Sequence, residues 1–513
     1  MIVVNVLRIL QARHIKSAPH SSENSMSVPS NDDLAPSSHA AVEPADETAS
    51  HGSYRTVSLI AAAGAIGGFL FGFDTAVING AVDSIEVSFG LTPVGIGVVV
   101  AITLFGAAGG ALCAGWLADR VGRRKVMATA AIIFLVAALG CGVSNSFWDL
   151  ALWRLTTGLG VGFATVIGPL YIAEIAPAQL RGRLAALQQL AIVLGILLAL
   201  VSDSTIAHAL GGADAHTFAG LPAWRWMFLA GVIPAVVYGS LVIVIPESPR
   251  YLVACGRKEE ARKVFSRLHA ITLAQASDVV DRVEASLHGA GASARFADVL
   301  SRRTGLVPVV WVGVGLASLQ ALVGIDVIFY YSTSLWKSVG FDESSSFGLS
   351  VLSAAVNVLA TVVAVALIDR IGRRLLLLVG SASMFVSLIL VTVGFSTASQ
   401  GGGELELSGI WGPLTLVGAN MFVLAFAISW GPAVWVLLGE MFPNNIRGIA
   451  FSIAASANWV SGVLLNLTFP SLRTWSLPGS YAIYAVMAAL SWCLVYRYVS
   501  ETKGLELEEI HEK

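Results

Sequence analysis

Asp74 and Arg154 are the residues best placed to do chemistry. Asp74 lies within GGFLFGFDTAVING and Arg154 within WRLTTGLGVGFA, each inside a long apolar run. Ionisable groups at membrane depth are costly and mark ion or substrate pathways. An unpaired carboxylate there binds a proton in preference to staying charged, and a guanidinium nearby pulls the other way. Together they form a two-state device, either ionised and bridged or protonated and released, which suits proton coupling. The alternative is a static ion pair that fixes helix packing, although a buried pair is weak ground for stability. No other acid is expected so deep in the N-terminal half.

Uncharged polar and aromatic groups recur in the later runs: Gln188, Gln189, Gln320, Asn357, Trp430, Trp435, Asn458 and Trp459, joined by the acid Asp326. Paired amides donate and accept at once, which matches vicinal hydroxyls. Indoles stack on the apolar face of a sugar ring and offer one N–H. An anionic ligand would call for more Arg or Lys, and a lipophilic one for fewer amides. Singly, each amide reads as interhelical glue. Together they point to a neutral hydroxylated ligand.

A third set repeats along the chain. DRVGRR begins at Asp119 and DRIGRR at Asp369, and Glu-(six residues)-Arg-Gly occurs at Glu174/Arg181 and at Glu440/Arg447. These acids and arginines (Asp119, Arg123, Glu174, Arg181, Asp369, Arg373, Glu440 and Arg447) are expected to bridge neighbouring helices while one side of the molecule is shut and to part when it opens. The plainer reading is that the arginines only set topology. Acids contribute little to topology, yet these recur in both halves. Gly64, Gly67, Gly68 and Gly72, with Gly158, Gly160 and Gly162, have the small-residue spacing that lets helices approach closely. They serve sliding or static packing alike. No strand or Gly-Lys-Ser accompanies them, so they are not phosphate loops.

The elements that position these residues follow from composition. Of 513 residues, 56% are apolar and 12% charged, against about 25% charged in a soluble domain. Mean hydropathy is +0.76. A water-soluble globule is excluded, and an all-α integral membrane protein is expected. A span takes about 20 apolar residues. Such runs fall at 57–80, 94–117, 125–144, 149–172, 184–207 and 224–245, then at 306–333, 346–368, 375–398, 411–439, 448–470 and 479–498. The expected organisation is a disordered N-terminal tail (1–54), a six-helix half (55–245), a charged helical linker (246–305), a second six-helix half (306–498) and a short tail (499–513). Met1 and Met26 both stand as possible starts. The linker arginines, with Arg120, Arg123, Arg124, Arg370, Arg373 and Arg374, fall on one side when spans are counted outward. The positive-inside rule makes that side cytoplasmic, together with both tails. Two matching six-helix halves are the mark of a transporter built from repeats. Cys113, Cys141, Cys255 and Cys493 lack ligand spacing; three of them lie in apolar runs and read as small buried hydrophobes, not a disulfide framework. No metal motif, nucleophile–base constellation or basic tract appears. Neither an enzyme nor a nucleic-acid binder is indicated, and no cofactor is expected beyond the proton.

In order along the chain, FGFDTAVING, GWLADRVGRR, WRLTTGLGVG, YIAEIAPAQLRGRL, PESPRYL, LQALVGIDVIFYYS, LIDRIGRR, WGPAVWVLLGEMFPNNIRG and SETKG resemble the sugar porter family of the major facilitator superfamily over roughly residues 57–508. The resemblance implies a major facilitator fold and alternating access around a central sugar site. It also implies a multi-pass protein of the cell membrane, working as a monomer in the lipid bilayer. Asp74 matches the coupling acid of proton symporters and Arg154 its partner, where facilitators commonly carry Asn. Gln189, Gln320, Asn357, Trp435, Asn458 and Trp459 match sugar contacts, and Phe71, Tyr330 and Tyr331 flanking aromatic positions. The implied activity is import of a monosaccharide, such as the hexose glucose, with a proton. A passive facilitator, a polyol (inositol) transporter and a transport-dead sugar sensor are the rivals. Departures include Ala321 for a second Gln, Asp326 for Asn, and Ile196 where xylose symporters tend to carry Gln, which favours a hexose. Phe73 for Tyr and Ser500 for Pro are expected to matter little.

Overall fold

The computed structural model describes residues 47–176, 181–215, 220–289, 299–301, 305–401, 404–407, 409–443 and 446–501. Twelve helical segments in them are long and apolar enough to cross a membrane, six before the linker and six after it. The first half comprises α1 (Glu47–Phe89), α2 (Pro93–Val121), α3 (Arg123–Val143), α4 (Phe147–Ile175), α5 (Arg181–Leu210) and a sixth span made of α6 (Ala223–Ala230) and α7 (Val232–Val244). Three linker helices follow: α8 (Pro249–Ala254), α9 (Lys258–His269) and α10 (Leu273–Gly289). They bury a small core of their own around Leu252, Val253, Phe265 and Val280. The seventh span is α11 (Pro308–Leu322) plus α12 (Ile325–Lys337), followed by α13 (Glu343–Ile371) and α14 (Arg373–Ser396). The tenth is α15 (Trp411–Ile428) plus α16 (Trp430–Met441), and α17 (Arg447–Trp475) and α18 (Leu477–Tyr498) close the bundle. Two antiparallel hairpins lie outside the spans: β1 (Leu300–Ser301) with β2 (Gly305–Leu306), and β3 (Ser399–Gly401) with β4 (Glu404–Glu406).

Local chemistry explains where the helices start and stop. Thr92 caps α2 by accepting from the Gly95 N–H at 3.3 Å, with Pro93 in the first turn, and Ser146 caps α4 through the Asp149 N–H at 3.2 Å. Such oxygens satisfy N–H groups that have no partner within the helix. Asp342 caps α13, accepting from the Ser345 hydroxyl at 2.6 Å and its N–H at 3.0 Å. Those two bonds hold the Asp342 carboxyl below its ordinary pKa.

Several helices exceed the apolar runs. The first span runs to Phe89, not to 80, because Asn79 and Ser84 are buried against other helices and Asp83 is ion-paired. Helix α1 begins at Glu47, inside the stretch 1–54 read as an unstructured tail; residues 1–46 lie outside the described residues. The seventh and tenth spans are broken, at Gly324 (φ 93°) and at Ser429 (φ −117°, ψ −80°). Both breaks are flanked by apolar residues, so hydropathy did not register them.

The cysteines correct one expectation. Cys141 is buried, but Cys113 and Cys493 are exposed on their helices. In a membrane protein, an apolar run is shielded from water by lipid as well as by protein. Leu59, Phe105, Leu112, Ile132, Leu152, Ile243, Leu359 and Val460 are exposed in the same way.

Close helix approach depends on bare backbone. A Cβ at Gly158 in α4 would stand 2.1 Å from the Thr103 carbonyl oxygen in α2, and one at Gly72 in α1 would stand 1.9 Å from the Ile192 carbonyl oxygen in α5. These two crossings hold the first half together. The halves meet through α1 with α12, α2 with α17, and α5 with α13.

Candidate functional site

Asp74 and Arg154 meet as the sequence suggested. Arg154 Nη1 donates to Asp74 Oδ2 at 3.1 Å and to the Asp74 carbonyl at 3.3 Å. The Arg154 side chain is 1% exposed and that of Asp74 is 15% exposed. The guanidinium also lies over the Phe228 ring, 5.7 Å from its centroid. Its Nε has no acceptor among the described residues, so the guanidinium is only partly satisfied by its carboxylate. Phe73, Phe134, Phe228 and Gly231 line the pocket beside Asp74.

A second acid in this half corrects the sequence reading. Asp203 in α5 is fully buried, and neither of its carboxylate oxygens has a partner among the described residues. It packs so closely on α1 that a Cβ at Gly80 would stand 2.9 Å from the Asp203 Cβ. Neighbouring Ser202, Ser204 and Thr205 disguise it in the sequence as part of a polar helix end.

Part of the polar set meets at α17. Asn458 Nδ2 donates to Gln320 Oε1 at 2.7 Å and to the Ala317 carbonyl at 2.8 Å. Trp459 meets Phe71 of the opposite half edge-on, ring centroids 6.0 Å apart, and Trp435 is 6.0 Å from Phe451. Asp326, in the first turn of α12, has Oδ2 3.7 Å from where a Gly462 Cβ would stand. Its carboxyl lies in hydrogen-bonding reach of the Asn466 side chain. Gln189 and Asn357 belong to α5 and α13, which pack together, but among the described residues no hydrogen bond ties them to this group. Buried Gln188 packs on Gly68 and Gly168. Trp430 is fully buried, and its Nε1 donates to Ser381 Oγ at 2.9 Å, which makes it an anchor for the tenth-span break. Tyr330 lies within electrostatic reach of Asp74, Arg154 and Asp326.

The repeated motifs form matching clamps. Arg123 Nη2 reaches Asp119 and Glu174, both at 3.0 Å. In the second half, Arg373 Nη2 reaches Glu440 at 3.0 Å. Each of these bridges joins helix ends within one half. Arg447 Nε donates to the Phe442 carbonyl at 3.2 Å. The side chains of Arg181 and Asp369 lie outside the described residues.

Two carboxylates at the clamps escaped the sequence reading. Glu247 Oε1 accepts the backbone N–H groups of Arg123 (3.0 Å) and Arg124 (3.1 Å). Glu501 accepts those of Arg373 (2.9 Å) and Arg374 (3.0 Å). Each carboxylate neutralises the open N–H groups at a helix start, where negative charge is favoured. The intervening glycines, Gly122 (φ 100°) and Gly372 (φ 96°), leave room for them: a Cβ would stand 2.4 Å from Glu247 Oε2 or 2.6 Å from Glu501 Oε2. PESPRYL and SETKG held both residues in plain view, but a bond spanning more than a hundred residues leaves no local signal.

The opposite face is bridged between halves. Asn79 of α1, 2% exposed, donates to the Phe329 carbonyl at 3.0 Å and to Ser332 Oγ at 2.8 Å, and accepts from the Thr333 N–H at 3.1 Å. Lys337 pairs with Asp83 at 3.2 Å, and the Ala213 N–H donates to Glu343 Oε1 at 3.1 Å.

Two six-span halves, a buried charge pair and a polar cluster where the halves meet define a polytopic membrane carrier. The family model described as "Sugar (and other) transporter" matches residues 60–513. The chain is 47% identical to the glucose transport protein of Synechocystis sp. (strain ATCC 27184 / PCC 6803 / Kazusa), over 88% of this chain and 97% of that protein. It is 32% identical to the D-xylose-proton symporter of Escherichia coli (strain K12), over 87% and 93% respectively. Among solved structures, the inward open conformation of the xylose transporter XylE from E. coli superposes with a TM-score of 0.74 at 31% identity, covering 89% of this chain and 99% of that one. XylE bound to 6-bromo-6-deoxy-D-glucose gives 0.72 at 30% identity, covering 90% and 99%. The chain belongs to the sugar porter family of the major facilitator superfamily, whose members are transporters and not enzymes.

Proposed function

We propose that this protein imports a monosaccharide, a hexose such as glucose, by proton symport and alternating access. The buried Asp74–Arg154 bridge carries the reading. Asp74, open towards the outside, takes up a proton and releases Arg154. Sugar is then held by Gln320, Asn357, Asn458 and Gln189 through its hydroxyls, with Phe71, Trp435 and Trp459 against its ring, and Asp326 completes the site. The halves rock, the proton leaves on the side of higher pH, and the bridge reforms. Tyr330, within electrostatic reach of Asp74, Arg154 and Asp326, supports communication between the two sites. The arginine-rich face is taken as cytoplasmic on the positive-inside rule, with both termini there and the chain in the cell membrane as a functional monomer. On that orientation, the inter-half bonds around Asn79 close the outer side. The clamps around Arg123 and Arg373 would tie the inner helix ends together while that side is shut and part when it opens. The proton serves as the coupling ion and no other cofactor takes part. The name of the 47% identical relative favours glucose, and that of the xylose relative favours the proton.

In proteoliposomes, Asp74→Asn is expected to abolish uphill sugar accumulation driven by a pH gradient while preserving counterflow of labelled sugar. Accumulation that survives the substitution would show that coupling lies elsewhere. A wild-type protein that only equilibrates sugar would be a facilitator.

A further inference from the structure

Asp326 places a carboxyl group where a neutral sugar needs none. Its carboxyl is partly exposed and stands in the first turn of α12, just past the break at Gly324. Around it are the backbone of Gly462, the Asn466 amide and Tyr330. Among the described residues it has no cationic partner, and the guanidinium of Arg154 is bonded to Asp74. Asn458, Gly462 and Asn466 recur every fourth residue on α17 and so share one face. Asn458 holds Gln320, and Gly462 lies against the Asp326 carboxyl one turn further on. One helical turn is about 5.4 Å, comparable with the breadth of a pyranose ring. A ring gripped by Gln320 and Asn458 would thus present its far substituent to the Asp326 carboxylate.

We propose that Asp326 makes the central site selective for a cationic amino sugar, a hexosamine whose ammonium group pairs with this carboxylate. The inference rests on the sugar site proposed above. A neutral hydroxyl gives that carboxylate one hydrogen bond, whereas an ammonium adds opposite charge and further donors. Charge-assisted bonds of this kind are worth about tenfold or more in affinity when they are partly shielded from water. An N-acetylated hexosamine keeps the nitrogen but loses its charge, and it forfeits the advantage.

The test uses purified full-length protein near neutral pH. D-glucosamine, N-acetyl-D-glucosamine and D-glucose are titrated against intrinsic tryptophan fluorescence and as competitors of labelled D-glucose uptake. D-glucosamine is expected to bind about tenfold more tightly than D-glucose, and N-acetyl-D-glucosamine no better than D-glucose. Asp326→Asn should erase that preference for D-glucosamine over D-glucose, and Asp326→Glu should retain it. Uptake of D-glucose with no preference for D-glucosamine, or a preference that survives Asp326→Asn, overturns the inference alone. If neither sugar binds or enters, the hexose site itself is wrong and the inference falls with it.

Discussion

Glu247 and Glu501 occupy equivalent seats in the two halves, each taking two backbone N–H groups from the start of an arginine-led helix. Neutralising either acceptor leaves those donors with a weaker partner, at a cost of about 1–3 kcal/mol. Glu247→Gln and Glu501→Gln are each expected to lower the Tm in detergent. The double variant should lower it by nearly the sum, because sites without shared partners act independently. An unchanged Tm, or a double variant no worse than the singles, would show that these clamps hold nothing. At this scale the sequence was partly legible. Asp74 and Arg154 announced themselves as charges amid apolar residues, and the repeated acids and arginines by recurrence. Glu247, Glu501 and Asn79 did not, because their bonds join segments remote in the chain. Asp203 did not, because polar neighbours disguised its depth.

Among elements, the glycines decide how closely helices pack. Gly158 faces the Thr103 carbonyl across the α2–α4 crossing, whereas Gly115 on α2 has nothing within 4 Å of an added Cβ. Gly158→Ala is therefore expected to destabilise the protein by about 1–3 kcal/mol through forced helix separation, seen as a lower Tm and a smaller folded yield. Gly115→Ala should leave the Tm unchanged or raise it slightly. Equal effects at both positions would mean that helix propensity, not close approach, governs them. The sequence showed that small residues line α1 and α4. It left open which helix each faces, since that depends on rotation about the axis. Span number was legible because a bilayer demands a minimum apolar length. The breaks at Gly324 and Ser429 were not, since both sides of each are apolar.

For the whole molecule, duplication of the motifs fixes the architecture: two halves with matching clamps, joined by charged linker helices and bridged at the face of Asn79, Asp83 and Lys337. The buried charge pair sits inside the first half, while the amide and indole groups lie largely on the second. On the proposed mechanism, coupling between proton and sugar would be a relation between halves and would belong to the rocking motion as much as to any one bond. Apolar periodicity and motif repetition revealed the halves. They could not reveal which face is closed, because that is a property of the conformation and not of the pattern. The central claim, that each sugar enters with a proton through Asp74, is tested most directly by external pH. Proteoliposomes in lightly buffered medium receive sugar while a pH electrode follows the suspension. The account predicts alkalinisation that tracks sugar entry in the wild type and vanishes in Asp74→Asn. Sugar entry without alkalinisation, or alkalinisation that persists in Asp74→Asn, would contradict it.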